Sequence, residues 1–234
     1  MGLIGIAIIA MIAIYILSGV YKGFVWSASV LVSSLLACVF AMLLTGPVSE
    51  AIVSNQTIYE AMLSYTEGAE YVKDVEYAKM DVSKLSNTEI EEIMNKTDLP
   101  YPMNERVHEN ILSEAFKEQG ITTLGDYFNQ SMVMVMVNIM AFLIVYLLLR
   151  LIFTFALCWL DYSVNFLILR RFDWLVGGCV GILRGLLGVT VIMLTVPILL
   201  TVLPFDAVKE TIEKSSAASF FYTSNLLLKL IPGV

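Results

Sequence analysis

Two long stretches of the sequence contain almost no charged residues. Residues 1–44 carry a single charge, Lys22, and residues 133–149 carry none. About 20 apolar residues in a helix are enough to cross the roughly 30 Å of hydrocarbon in a bilayer. Backbone amides in lipid must bond within their own segment, so apolar runs of this length fold as helices. The sequence therefore predicts a helical protein that crosses a membrane more than once.

The composition excludes several other classes of protein. Of the 234 residues, 58% are hydrophobic and 15% are charged, whereas soluble domains average about 45–50% and about 25%. The net charge is −7, from 14 basic and 21 acidic residues, so a basic surface that could neutralise phosphates is not expected. A soluble enzyme, a disordered chain and a nucleic-acid binder are excluded on these grounds.

The first predicted hairpin occupies residues 1–44. Gly2–Val20 and Phe24–Leu44 are each long enough for one span, and a Tyr21-Lys22-Gly23 turn separates them. Gly46-Pro47 is predicted to close the second span, because proline disrupts a helix interior. No basic residue precedes the first run, so we interpret it as a retained span rather than a signal peptide.

The second predicted hairpin occupies residues 128–204. An apolar run from 132 to 160 is followed by Trp174–Leu203, in which Pro197 predicts a kink. Between the two runs, Asp161–Phe172 is typical of an interfacial amphipathic segment. The predicted fold class is all-α: a polytopic membrane protein with four transmembrane helices in two hairpins.

A long acidic stretch separates the hairpins. Residues 45–127 hold 16 acidic and 6 basic residues, a local net charge of −10. Ser86 with Glu89 three positions later is a capping box, and an apolar stripe at 107–116 predicts a helix that ends at Gly120. We therefore predict a helical extracytoplasmic insertion, whose charges are solvated faces.

The positive charges set the predicted orientation. Positively charged short loops stay in the cytoplasm, and the relevant charges here are Lys22, Arg150, Arg170, Arg171 and Arg184. The acidic insertion and both termini then lie outside the membrane, and the apolar stripe of the tail predicts a surface helix. The predicted domains are the first hairpin (1–44), the acidic insertion (45–127), the second hairpin (128–204) and an amphipathic extracytoplasmic tail (205–234).

The start of the last span contains the most distinctive local pattern. Gly177, Gly181 and Gly185 recur every four residues, and Gly188 follows close to the same helix face. Helices in lipid associate by close backbone approach over small residues. This glycine face is predicted to be a packing surface, either within the chain or between copies of the chain in a homo-oligomer.

Arg184 lies among these glycines, and the pattern leaves two locations open for it. Nineteen uncharged residues follow it, so it could lie at the cytoplasmic interface with its charge in water. Alternatively it lies deeper and pairs with an acid, for which Asp161 is free, or with helix-end carbonyls. A charge inside the membrane is by default a functional hypothesis.

The sequence predicts no catalytic, cofactor or metal site. Cys38, Cys158 and Cys179 lie in apolar stretches without a CxxC pair, and His108 is the one histidine. Zinc sites need several such ligands, and serine chemistry needs a base within hydrogen-bond reach. We therefore expect no cofactor and no enzymatic activity.

Two of these patterns carry a resemblance to a known family. Gly-Ile-Leu-Arg-Gly-Leu-Leu at 181–187 and Lys22-Gly23-Phe24 at the first turn resemble the colicin V production protein (CvpA) family over residues 1–45 and 130–204. The resemblance implies a four-helix bacterial inner-membrane protein linked to colicin V production and envelope integrity. The candidate packing or functional residues are Gly177, Gly181, Arg184, Gly185, Gly188, Lys22 and Gly23.

Two functions are weighed for such a chain. The first is a structural or interaction role in the envelope, with the lipid bilayer and other membrane or envelope proteins as partners. The alternative is a subunit of an oligomeric channel or transporter, because four spans are few for a solitary carrier. Spans 2 and 3 carry few polar groups: Ser27, Ser29, Ser33 and Ser34 in the second span, and Asn138 in the third.

Overall fold

The structure is a computed structural model that describes residues 2–66, 68–159, 172–203 and 205–233. Over these residues the chain is helical, and one isolated bridge joins Asp81 to Thr123. The all-α class predicted from the sequence is confirmed. In chain order the helices are α1 (Leu3–Val53), α2 (Gln56–Thr66), α3 (Val75–Ala78), α4 (Asn87–Lys96), α5 (Met103–Leu112), α6 (Leu124–Cys158), α7 (Asp173–Met193), α8 (Val196–Val202), α9 (Phe205–Glu213), α10 (Ser216–Thr223) and α11 (Leu226–Leu230).

Three stretches of the described chain are long and apolar enough to cross a membrane. They are Ile4–Val53, Leu124–Cys158 and Asp173–Val202. Large apolar side chains remain exposed along them, including Ile14, Leu17, Leu43, Leu147 and Phe155. Contiguous apolar surface of this kind is covered by lipid or by another protein. The chain is therefore a helical membrane protein, and the predicted segment at 161–171 lies outside the described residues.

Gly23 interrupts the longest helix. Its backbone has φ 78° and ψ 179°, which are not helical values, and a positive φ of this kind favours glycine. The break divides α1 into a first arm (3–22) and a second arm (24–53). The predicted Tyr21-Lys22-Gly23 turn lies at this break.

Pro47 does not end the second arm, contrary to the sequence prediction. The helix continues to Val53. The hydroxyl of Ser49 donates to the Gly46 carbonyl at 2.8 Å, and that of Thr45 donates to the Ala41 carbonyl at 2.7 Å. Pro47 removes only the backbone bond to the carbonyl of Leu43, four residues earlier, and helices in apolar surroundings accept such an interruption. Pro197, by contrast, lies in the first turn of α8, where a helix accepts proline.

The chain divides into two compact units. The first unit comprises Met1–Thr45, Phe142–Leu194 and Asp206–Leu226. The second unit comprises Gly46–Ala141, Thr195–Phe205 and Leu227–Val234. α1 and α6 each contribute residues to both units.

The second unit is built on an apolar core. Phe116, Phe128 and Met103 are completely buried in it. The predicted capping box is confirmed, because the Ser86 and Glu89 side chains both bond the opposite backbone amide. The single helix predicted over the stripe at 107–116 is wrong in its extent: α5 ends at Leu112, and the chain turns at Glu114, which has φ 47°. Gly120 instead ends a short 3-10 turn.

The tail is three short helices rather than one amphipathic helix. In the predicted stripe Phe220, Leu226 and Leu230 are exposed, whereas Leu227 and Ile231 are buried. The last residues belong to the second unit, where side-chain amides hold their carbonyls. Asn138 donates to Pro232 at 2.9 Å and Asn110 donates to Gly233 at 3.0 Å. These bonds explain why two amides are buried among apolar side chains.

Candidate functional site

The glycines of α7 lie against the backbone of the first arm. A Cβ built on Gly181 would be 2.6 Å from the carbonyl oxygen of Tyr15 and 2.9 Å from the Cα of Ile16. At Gly185 the corresponding distance is 3.1 Å to the Cα of Ile12. Successive glycines of α7 face residues of the first arm that are progressively closer to its N-terminus, so the two helices are antiparallel. The glycine face therefore packs against α1 within the chain.

The contact is closest at its beginning. A Cβ on Gly177 would overlap the carbonyl oxygen of Gly19, and a Cβ on Gly19 would overlap that of Gly177. Gly19 was not among the residues predicted from the sequence. Gly19 and Gly23 are four residues apart, and this small-xxx-small spacing in the first arm could have identified the partner face.

Gly188 lies in a looser part of the same contact. A Cβ there would meet the terminal methyl of Met11 at 2.8 Å and the ring of Tyr15 at 3.3 Å. These atoms belong to side chains that can move, whereas those opposite Gly181 belong to the backbone. The requirement for glycine is therefore stricter at Gly181 than at Gly188.

Asp173 fastens the break at Gly23. Its Oδ1 accepts a hydrogen bond from the Phe24 N–H at 3.0 Å, and this amide is among those at a helix start that have no partner within the helix. A Cβ on Gly23 would overlap the same carboxylate. The absence of a side chain at Gly23 thus permits both the positive φ and the close approach of the Asp173 carboxylate.

Arg184 is buried between aromatic rings. Its side chain is 7% exposed, and its guanidinium carbon lies 4.6 Å from the ring centroid of Trp26 and 5.3 Å from that of Tyr15. Lys22 places its Nζ 4.0 Å from the centroid of the same Trp26 ring. Two cations of the predicted site thus share one indole, and these rings were not predicted as part of it.

Arg184 has unused donors. Its Nε and Nη1 are buried and have no hydrogen-bond partner. No ion pair with an acid is found for it among residues 2–66, 68–159, 172–203 and 205–233. Asp173 is engaged with Phe24, and Asp161, the partner considered from the sequence, lies outside the described residues.

Arg150, by contrast, has acceptors in the first unit. Its Nη1 donates to the Val30 carbonyl at 3.2 Å and to the Ser33 Oγ at 3.1 Å. The hydroxyls of Ser33 and Ser34 in turn donate to the Val30 carbonyl. Both serines thus bond a carbonyl of their own helix, and Ser33 together with that carbonyl accepts from Arg150.

The cysteines are free and separate. Cys38 is buried, and Cys158 and Cys179 are exposed. Within the part of the chain that the structure describes, no group of three or more His, Cys, Asp or Glu side chains could hold a metal ion.

The second unit carries an open groove and ordered carboxylates. The groove has a volume of about 530 Å³ and is lined by residues 72–77 together with Ile93, Lys96 and Thr97.

Two carboxylates of the same unit are held by hydrogen bonds. Hydrogen bonds from Ser86 lower the pKa of Glu89, and hydrogen bonds from Ser83 lower the pKa of Asp81. Both carboxylates thus stay charged at neutral pH on a surface that also offers lysines.

Comparison with known proteins was made at the level of families, curated proteins and solved structures. A family model described as Colicin V production protein matches residues 114–225. The match includes the sequence at 181–187 on which the resemblance was based, and it supports that resemblance. It does not reach Lys22-Gly23-Phe24. No curated protein and no solved structure matches the chain.

Proposed function

We propose that the chain is a member of the colicin V production protein family with a structural or interaction role in the bacterial envelope, and the match of residues 114–225 to that family's model supports this proposal. The protein is then a multi-pass component of the cytoplasmic (inner) membrane, linked to colicin V production or envelope integrity. It acts by holding partner proteins and not by catalysis.

The observation that carries this proposal is the backbone contact between α7 and the first arm. Helices in lipid gain little from burying apolar side chains, so close packing over glycine is what stabilises their association. Four glycines approach backbone atoms of the opposite helix, Gly19 on one side and Gly177, Gly181 and Gly185 on the other. A rigid membrane part of this kind suits a scaffold that presents a folded domain to partners.

We infer further that α1 crosses the membrane twice. A straight helix of 51 residues would be about 76 Å long, more than twice the hydrocarbon thickness. The backbone break at Gly23 lies between two arms that are each long enough to cross the hydrocarbon once. These observations support a reversal at Gly23 and hence four spans.

The acidic second unit supplies the surface for partners in this proposal. Residues 45–127 carry a net charge of −10, and the groove beside α4 offers Asp74, Glu76, Lys73 and Lys96. The positive charges of the short loops favour the cytoplasm. We therefore place the acidic residues and both termini outside the cytoplasmic membrane, where other envelope proteins are reached.

The scaffold role is tested by substituting the glycine with the strictest contact. Gly181→Leu is expected to destabilise the protein by about 1–3 kcal/mol, the usual cost of overpacking, and to abolish crosslinks to envelope partners. Gly46→Leu is the matched control, because a Cβ at Gly46 meets nothing within 4 Å.

The readouts are the thermal unfolding of the full chain in detergent, its crosslinking pattern in cells and the envelope phenotype of the strain. If Gly181→Leu behaves like Gly46→Leu in all three, the packing role is wrong. If Gly181→Leu unfolds early but the crosslinks persist, the scaffold is not what holds the partners.

A channel or transport subunit is the second candidate, and the buried charge of Arg184 favours it. The serines of the second arm weigh against a wet pathway, because those at 29, 33 and 34 donate to carbonyls of their own helix. Ion flux in liposomes separates the two functions. A transport function requires ion flux that Arg184→Ala abolishes, whereas a scaffold produces no ion flux even at high protein density.

A further inference from the structure

Arg184 is a buried cation without a counter-charge among the described residues. It is 93% buried, and its Nε and Nη1 have no acceptor. Burying an unpaired ionised group costs several kcal/mol or more, so buried charges in proteins are paired and hydrogen-bonded. The structure therefore shows a donor whose acceptor is missing.

The aromatic rings do not replace this acceptor. Rings attract a cation to their faces, and Trp26 and Tyr15 hold the guanidinium in this way. The N–H groups at the edge of the guanidinium still require acceptor oxygens. The rings thus position Arg184 without satisfying its Nε and Nη1 donors.

The surrounding charges favour an anion. Lys22 lies over the same indole as Arg184, and Arg150 is near enough to act on Arg184 electrostatically. Three cations therefore belong to one region of the first unit. Asp173, the acid beside the break at Gly23, already accepts from the Phe24 amide. An anion would lower the repulsion among these cations as well as satisfy the N–H groups.

The position of the Arg184 guanidinium indicates the kind of anion. It lies 4.6 Å from the ring centroid of Trp26, three residues after the break at Gly23, and Lys22 beside that break reaches the same ring. In the proposed topology the break faces the membrane surface, where the phosphate groups of phospholipids lie. Guanidinium groups bind phosphate oxygens with charge-assisted hydrogen bonds.

We propose that Arg184, together with Lys22 and the rings of Tyr15 and Trp26, forms a binding site for a phosphate group. The headgroup of an anionic phospholipid would supply this group from the bilayer, and free phosphate would supply it from solution. The site goes beyond the scaffold role, since it concerns what the membrane part binds and not which proteins the second unit holds.

The lipid source is tested by native mass spectrometry of the full chain. The wild-type protein is expected to retain phosphatidylglycerol in preference to phosphatidylcholine. Arg184→Gln is expected to reduce this preference roughly tenfold, since it removes charge-assisted hydrogen bonds, and Arg184→Lys should keep part of it. Lys214→Gln is the control, because Lys214 is an exposed cation paired with Glu210 one turn away.

The free-phosphate source is tested by thermal unfolding in inorganic phosphate and in chloride at equal ionic strength. Stabilisation of the wild type by phosphate that Arg184→Gln abolishes, without a preference for phosphatidylglycerol, supports the site and assigns it to soluble phosphate. Lys22→Gln gives a second variant in case Arg184→Gln does not fold, and it should weaken whichever ligand binds.

Two outcomes overturn the proposal. In the first, neither Arg184→Gln nor Lys22→Gln changes the lipid preference or the response to phosphate. In the second, Asp161→Asn destabilises the protein as much as Arg184→Gln does and the double variant loses no more, which identifies Asp161 as the missing partner. Both readouts are independent of partner crosslinking, so failure of the scaffold role does not imply failure of the site.

Discussion

Gly23 is required for two reasons that can be separated by substitution. Its φ of 78° disfavours a side chain, and a Cβ there would overlap the carboxylate of Asp173. Gly120 has the same φ, but a Cβ there meets nothing within 4 Å. The pair therefore distinguishes backbone strain, worth about 1–2 kcal/mol, from steric overlap.

We predict that Gly23→Ala lowers the thermal unfolding temperature of the full chain in detergent more than Gly120→Ala does. Adding Asp173→Ala should recover part of the difference, because it removes the overlapping carboxylate. Equal losses for the two glycines would mean that Asp173 does not fasten the turn.

Single residues show where the sequence was informative and where it was not. The regular spacing of Gly177, Gly181 and Gly185 is local, so a packing face could be predicted, but Gly19 opposite it was missed. The location of Arg184 was left open, because the rings that hold it are more than 150 residues away in the sequence. No local pattern encodes such a contact.

The capping box of α4 contributes to the stability of one element. The Ser86 hydroxyl accepts from the Glu89 amide at 3.3 Å, and the Glu89 carboxylate accepts from the Ser86 amide at 2.8 Å. Removing an N-cap side chain costs about 1 kcal/mol. We predict that Ser86→Ala speeds hydrogen exchange of the α4 amides about fivefold, as measured by mass spectrometry on the full chain.

Ser64→Ala is the control for this substitution. Ser64 lies inside α2, and its hydroxyl donates to the Ala61 carbonyl of the same helix, so its loss should leave exchange of α2 nearly unchanged. If both variants leave exchange unchanged in their own helices, the cap does not limit the opening of α4.

The capping box also predicts the pH dependence of α4. Hydrogen bonds from the Ser86 amide and hydroxyl lower the pKa of Glu89 in the folded chain. A lowered pKa stabilises the helix above the unfolded pKa, near 4.3, and this stabilisation is lost as the pH falls through the folded value. Local opening of α4, corrected for the intrinsic exchange rate, should increase on acidification below about pH 4, and less so in Ser86→Ala.

The elements differ in how far they could be predicted. The capping box spans four residues and needs no tertiary contact, so it was predicted correctly. Pro47 was taken as a helix end, but it removes only one backbone hydrogen bond and the helix continues to Val53. The stripe at 107–116 is apolar because the turn after α5 buries Phe116 completely in the core. Periodicity cannot distinguish that turn from a longer helix.

At the scale of the whole molecule, the proposed four-span topology fixes on which side of the membrane each segment lies. We predict that a single cysteine at position 120, in a background without Cys38, Cys158 and Cys179, reacts with an impermeant reagent from outside the cell. A single cysteine at position 22 should react only after the membrane is opened. Reaction of both positions from the same side would exclude a reversal at Gly23.

The division of the chain into two hairpins, an acidic insertion and a tail, with boundaries after residues 44, 127 and 204, stays a prediction.

The distance in sequence between the two halves of the glycine contact has a consequence for biosynthesis. Phe24 and Asp173 are 149 residues apart, and translation adds about 5–20 residues per second. The first arm therefore waits in the membrane for roughly 7 to 30 s before α7 emerges to cover Gly19. A truncation or a ribosomal pause before α7 would leave Gly19 without the helix that covers it in the folded chain.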